Sequence, residues 1–308
     1  MPKTLARDQA SGNRTGDNKG SLGFVIPSPR SSRARNLHLK LRDENVCDPR
    51  WFSRLQPLSR SFYNRDPRIV ARALLGKILI RENAPARAGN KTKPRETKPR
   101  DPEATFRAGR IVETEAYLGA GDAAAHAAAG LTQRNAVLFG PPGHAYVYLS
   151  YGLHYCLNVS CLPAGRAGCV LIRALEPLAG VAAMARARKL LKVAALGAPF
   201  KPGFGLSGEV PRLPFLKAAK SETPERVTQN LHQLRLLCSG PARLCQAFEI
   251  ARARDNGDDL TRASAGSLWI ADDGFRPRRI STSARVGITK SVELDLRYYV
   301  ADSSYVSR

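Results

Sequence analysis

Gly109–Ser160, GRIVETEAYLGAGDAAAHAAAGLTQRNAVLFGPPGHAYVYLSYGLHYCLNVS, brings together Glu113, Glu115, His126 and five of the nine tyrosines of the chain. Within it Arg110–Tyr117 alternates like a strand, with Ile111, Glu113, Glu115 and Tyr117 on one face and Val112, Thr114 and Ala116 on the other. Two carboxylates then share a side, about 7 Å apart at the usual rise per residue. Alternation alone does not say which of them does chemistry. The alanine-rich Ala123–Ala129 predicts a helix around His126, ended by Gly130. Gly140-Pro141-Pro142-Gly143 is turn chemistry. Ala145–Leu149 and His154–Ser160 read as two strands of a hairpin, with Tyr151-Gly152 at its tip and Tyr146 and Tyr148 on one face.

Upstream, Asp66-Pro67 supplies a helix N-cap and a proline at the first helical position, with Gly76 as the stop, and Lys77–Arg81 follows as a strand. Glu82–Ala108 is rich in Lys, Arg and Pro and almost empty of apolar residues, which predicts a mobile basic loop between two paired strands. Met1–Arg60 is polar, basic and without hydrophobic periodicity, so it reads as a flexible arm, either a phosphate tether or an inert extension. Its acidic residues weigh against a targeting peptide.

Downstream, Cys169–Leu175 is a short apolar run with Arg173 inside it, and a cation there needs a partner or a task. Glu176-Pro177 is read as opening a helix through about Leu196, and Ala198–Lys220 as a second basic loop. Thr223-Pro224 starts a further helix, and Ser239-Gly240-Pro241 another through about Ala253. Ser267–Ile270, Ala284–Ile288 and Leu294–Val300 read as strands closing a sheet. The order of elements, without β-α-β alternation or a Gly-rich phosphate loop, predicts one α+β domain: a curved, mainly antiparallel sheet with helices packed around it.

With 308 residues and 43% hydrophobic residues the chain can bury a real core. A formal net charge of +23 points to a polyanionic partner, nucleic acid ahead of an anionic membrane surface. No run approaches the roughly 20 apolar residues of a membrane span, and no secretory signal opens the chain, which predicts an intracellular protein. The six cysteines lack a C-x-x-C pair and read as reduced, mostly buried thiols, with no metal site.

Arg110–Gly119 (RIVETEAYLG) resembles the alkyladenine, or 3-methyladenine, DNA glycosylase family. The likeness runs on through His126, Thr132–Asn135, Tyr146–Gly152, Asn158, Cys169–Pro177, Cys238–Ala247 and Ala284–Gly287. It implies a glycosylase domain over residues 61–303, interrupted by the basic inserts at 82–108 and 198–220, on a fold like the formyltransferase C-terminal domain with a protruding hairpin. The implied activity is hydrolysis of the N-glycosidic bond of alkylated or deaminated purines in double-stranded DNA, by a monomer with no cofactor and no metal. Such an enzyme must swing its target nucleotide out of the helix.

By motif position Glu115 is the base that activates water, and Arg173 helps hold that water and the nucleotide. Tyr117 and Tyr148 are walls for the base, His126 meets its edge, Asn158 crowds the amino group of guanine, and the Val286 carbonyl completes the cradle. Tyr151 is the intercalating residue. Ser150, beside it, departs from an apolar position of the family. Glu113 reads as structural, and the matched blocks hold no lysine to act as a Schiff-base nucleophile, which implies a monofunctional enzyme. The competing reading is a non-catalytic nucleic-acid-binding module on the same scaffold.

Overall fold

The computed structural model describes residues 54–82, 106–190, 232–264 and 266–307, all within the compact unit Asn45–Arg308. The basic arm before residue 54 and the inserts at 83–105 and 198–220 lie outside the described residues.

Two short helices open the described chain, α1 (Arg60–Tyr63) and α2 (Pro67–Leu74). The Asp66 carboxylate accepts from the Arg68 backbone N–H, as an N-cap should, and Val70, Ala71 and Leu74 turn one stripe of α2 inward. After β1 (Ile78–Glu82) and β2 (Phe106–Tyr117) come the hairpin strands β3 (Ala145–Ser150) and β4 (His154–Cys161), then β5 (Gly168–Ala179). Helices α3 (Val181–Ala187), α4 (residues 232–238), α5 (Pro241–Ala247) and α6 (Arg252–Asp255) follow. Strands β6 (Leu268–Ala271), β7 (Ile280–Ser283) and β8 (Arg297–Val300) complete the order.

The eight strands among the described residues form one antiparallel sheet, in the order β3-β4-β5-β2-β1-β6, with β8 pairing both β2 and β7. The α+β reading of a mainly antiparallel sheet with packed helices therefore holds. Strand β2 lies at its centre, flanked by β5 along its length and on the other side by β1 at residues 106–110 and β8 at Glu113–Glu115. Ten of its twelve residues are buried, as expected of a strand covered on both faces. The main core lies between one face of the sheet and the helices, joining Leu74, Ile111, Val147, Val159, Ile172, Met184, Leu237, Leu244 and Phe248. Ile78, Ile80, Ala108, Leu178 and Trp269 form a smaller cluster. Among the described residues no helix is long and apolar enough to cross a membrane. The five described cysteines are free and buried, as expected.

Several expectations are corrected. The insert read as reaching Ala108 gives way to strand at Phe106, because Phe106–Arg110 pairs with β1 residue by residue. Ala123–Ala129 is not a helix but a series of i→i+3 turns, such as Ala125 N–H to Asp122 O and Gly130 N–H to Ala127 O. The preference of alanine for helix loses to the Asn135 amide, which fastens the carbonyls of His126 and Gly130. Glu176 and Pro177 continue β5, paired with Arg110 and Gly109, and the helix begins only after Gly180 in the left-handed region. The helix read through Ala253 is divided into α5 and α6. Ala284–Ile288 is loop; the strand lies earlier, at Ile280–Ser283, and the last strand is shortened to Arg297–Val300.

Candidate active site

The alternation of β2 is broken where it matters. Ile111 pairs Leu175, Glu113 pairs Ala174 and Thr114 pairs Ile172, so Val112 is an extra residue on β2 and Arg173 an extra residue on β5. These opposed bulges shift the faces. Ile111 and Ala116 enter the main core and the Thr114 hydroxyl donates to the Ala71 carbonyl of α2. Glu113, Glu115 and Tyr117 look the other way, so Ile111 does not share their face as strict alternation predicts. Arg173, released from regular pairing, reaches both acids.

Both carboxylates are completely buried. Glu113 Oε1 accepts from Arg173 Nε at 2.9 Å, Arg297 Nε at 2.7 Å and Ser307 Oγ at 2.8 Å, and Oε2 from the Ser307 N–H at 2.6 Å. A carboxylate offers about four lone-pair positions, two on each oxygen; the four donors of Glu113 crowd three onto Oε1 and one onto Oε2. Glu115 has three. Its Oε1 meets Arg173 Nη1 at 3.1 Å and the Val286 N–H at 2.8 Å, while Oε2 accepts the Tyr117 hydroxyl at 3.0 Å. One position on Oε2 is left for a further donor. The Val286 backbone N–H thus contacts the acid directly.

Burial opposes the charge of Arg173, but the facing Glu115 and Glu113 carboxylates outweigh it and hold its pKa above the ordinary value. Burial first, and then the charge of Glu115, pushes the Tyr117 phenol far above its usual range, so it remains a donor. The Arg285 guanidinium lies 4.7 Å from the centre of the Tyr117 ring and forms a wholly buried ion pair with Asp122, Nη2 to Oδ1 at 2.8 Å. Asp122 also accepts the N–H groups of Leu118 and Ala124. This pair fixes both the turn after β2 and the loop that carries Val286.

A second group adjoins the first. His126 Nδ1 is 2.9 Å from the Tyr146 hydroxyl, and its ring meets Tyr148 edge-on at 4.4 Å. His126 is exposed overall, yet this packing strips part of its hydration, which, with the charge of Arg134, lowers its pKa. Tyr148 lies 5.6 Å from Tyr146 at a tilt of 31°. Asn158 is buried on β4 opposite Tyr146, donates to its carbonyl at 3.2 Å, and has Cys169 Sγ 3.9 Å from Oδ1. Tyr117 and Tyr148 pack on one apolar cluster with Tyr146 and Cys169, which joins the two groups.

Tyr151 stands apart from both. It is 90% exposed at the hairpin tip, between the exposed Leu149 and Leu153, and its φ of 50° is followed by Gly152 at 69°. A cavity of about 230 Å³ beside the turn end of the hairpin, between Tyr155 and Gln246, shares no residue with either group. Sequence reasoning missed Asp122, Arg285, Arg297 and Ser307. The first two had a faint signal, a lone acid in a Gly/Ala run and an arginine inside a matched block; the other two had none.

The sequence profile of the methylpurine-DNA glycosylase family matches residues 100–304. The chain belongs to this family. Among its relatives, a protein of Koribacter versatilis, provisionally named 3-methyladenine DNA glycosylase, is 47% identical over 83% of this chain and 95% of its own length. Similarly named proteins of Burkholderia lata and Chlorobaculum tepidum are 37% and 34% identical, over 84% and 82% of this chain and 94% and 92% of theirs. Membership makes the chain a DNA glycosylase, a DNA-repair hydrolase whose substrate is DNA.

Proposed function

We propose that this glycosylase is a monofunctional, cofactor-free monomer that takes alkylated or deaminated purines out of double-stranded DNA and leaves an intact abasic site. The observation that carries the reading is the unequal setting of two buried acids: Glu113 is closed in by Arg173, Arg297 and Ser307, whereas Glu115, with an acceptor position left on Oε2, meets the half-buried Tyr117 and the exposed Val286. A water seated there loses a proton to Glu115 as its oxygen bonds to C1′ of the sugar. The glycosidic bond breaks and the purine leaves with its electron pair. The negative charge of Glu115 favours the oxocarbenium-like sugar at the same moment.

The other residues take roles that suit their surroundings. Arg173 and the Val286 N–H orient Glu115, and the Val286 carbonyl is a further acceptor for the water. Tyr117 and Tyr148 stack against the extruded base, at roughly 1–3 kcal/mol per stacked base. His126 meets the base edge, Asn158 crowds the amino group of guanine, and Tyr151 fills the gap in the helix, offsetting an unstacking cost of a few kcal/mol. A pure binding module would gain nothing from burying an ionisable acid with a vacant acceptor position.

The test is a labelled duplex with one hypoxanthine or one ethenoadenine. Release of the free base, with strand breakage only after alkali treatment, is the expected result. Binding without release would favour the non-catalytic module, and breakage before alkali would contradict the monofunctional assignment.

A further inference from the structure

We infer that Ser307 is a positioning residue for base excision: its hydroxyl locks Arg173 between Glu113 and Glu115 and so aims the acid that activates water. The inference rests on the proposed role of Glu115.

The segment after β8 is held at three points. Tyr305 is buried in a cluster with Val112, the extra residue on β2, and Ala174, next to the extra residue on β5. The Val306 carbonyl accepts the Ser239 hydroxyl at 3.4 Å. The Ser307 carbonyl accepts Arg297 Nη2 at 3.0 Å. Ser307 therefore arrives at Glu113 with its backbone already fixed.

A serine hydroxyl has one proton to give and lone pairs to receive. Ser307 Oγ uses both capacities: it donates to Glu113 Oε1 at 2.8 Å and accepts from Arg173 Nη2 at 3.3 Å. Arg173 is thereby engaged through all three nitrogens, Nε on Glu113, Nη2 on Ser307 and Nη1 on Glu115. The guanidinium is a rigid planar fork, so fixing two of its nitrogens fixes the third. Without Ser307 Oγ, the Nη2 end loses its acceptor. Nε on Glu113 is then the one anchor apart from Glu115 itself, so the guanidinium and the Glu115 carboxylate can shift together. Glu113 thus does not touch the reaction, and its task is to give Arg173 and Ser307 a common anchor.

The proposal is tested with the full-length protein on a hypoxanthine duplex, comparing wild type, Ser307→Ala and Ser307→Thr. Three quantities are measured: the single-turnover rate constant at saturating enzyme, the affinity for undamaged duplex, and the melting temperature. Ser307→Ala keeps the N–H to Glu113 but lacks the hydroxyl. Its rate constant is expected to fall about 10- to 100-fold, the scale of a misplaced reacting group, with affinity unchanged. Ser307→Thr, which restores the hydroxyl, is expected within about threefold of wild type on the same scale.

A wild-type rate for Ser307→Ala overturns the proposal. So does an equal loss in both variants, since that would report packing and not the hydroxyl. If Ser307→Ala does not fold, Ser307→Gly, which also keeps the N–H, replaces it under the same criteria. Failure of the wild type to release any base would instead reject the proposed role of Glu115.

Discussion

Glu115 and its neighbours are held by buried charge, and buried charge is costly when left alone. Asp122 and Arg285 are both inaccessible to water, and each closes part of the cradle around Glu115. Deleting one member of such a pair strands the other in the interior, at about 3–5 kcal/mol. Asp122→Ala is therefore expected to lose about that much stability in urea unfolding, and a loss below about 1 kcal/mol would show that the pair is solvated.

A milder case is Asp272, which binds Lys77 at 2.8 Å and Arg276 at 2.8 and 2.9 Å. Partial burial raises the pKa of this acid, but the donors Arg276, Lys77 and the Gly274 N–H outweigh it and bring it to about 2. Burial pulls Lys77 below its ordinary value, opposite to what the ion pair alone would do. The acid-side behaviour follows Asp272, the one of the two that titrates there. A depressed folded-state pKa gives stability that is present above the ordinary carboxylate range and lost as pH falls through about 2. Asp272→Asn should thus lower the melting temperature at about pH 6 and make little difference near pH 2; an equal effect at both would contradict the linkage.

At the scale of elements, the hairpin opposes stability to use. Tyr151 stands with φ near 50°, a left-handed conformation that suits glycine or asparagine and costs a residue like tyrosine about 1 kcal/mol. Its ring is 90% exposed, so folding gains little from it. Tyr151→Asn is expected to melt at or above the wild-type temperature while excising hypoxanthine from duplex at least about tenfold more slowly, because the unstacking cost is no longer offset. Unchanged excision would remove Tyr151 from the mechanism.

This hairpin was fully legible in the sequence, since two alternating runs around Tyr151-Gly152 leave little choice of register. So was α2, from its Asp-Pro start. The bulges at Val112 and Arg173 were not. They arise from a compromise between neighbouring strands that no local pattern records, and they decide which side chains accompany Glu115. The turn series at Ala123–Ala129 was misread for a related reason: alanine favours helix, but the buried Asn135 claims the carbonyls of His126 and Gly130, nine and five residues before it. Ser307 was invisible because its importance comes only from where β8 delivers it.

For the whole molecule, the charge of +23 is the dominant global property. Many of the described arginines are internally committed: Arg81 to Asp255, Arg110 to Asp273, Arg285 to Asp122 and Arg173 to the two acids. The surplus beyond such pairs favours phosphates. Affinity for undamaged duplex is expected to drop by about three orders of magnitude between 50 and 200 mM salt, if roughly six phosphates are neutralised. A flat salt response would contradict a polyanion as the main partner. By contrast the excision rate constant at saturating enzyme should change little, because the buried acids are screened weakly.

The central claim is that Glu115, and not Glu113 enclosed by Arg173, Arg297 and Ser307, activates the water. The direct measurement is the single-turnover release of hypoxanthine by Glu115→Gln at saturating protein, alongside duplex affinity and melting temperature. A fall of about 100- to 10,000-fold in rate, the scale of lost general-base catalysis, with affinity retained, is the predicted result. A Glu115→Gln variant that folds, binds and excises at the wild-type rate would contradict it.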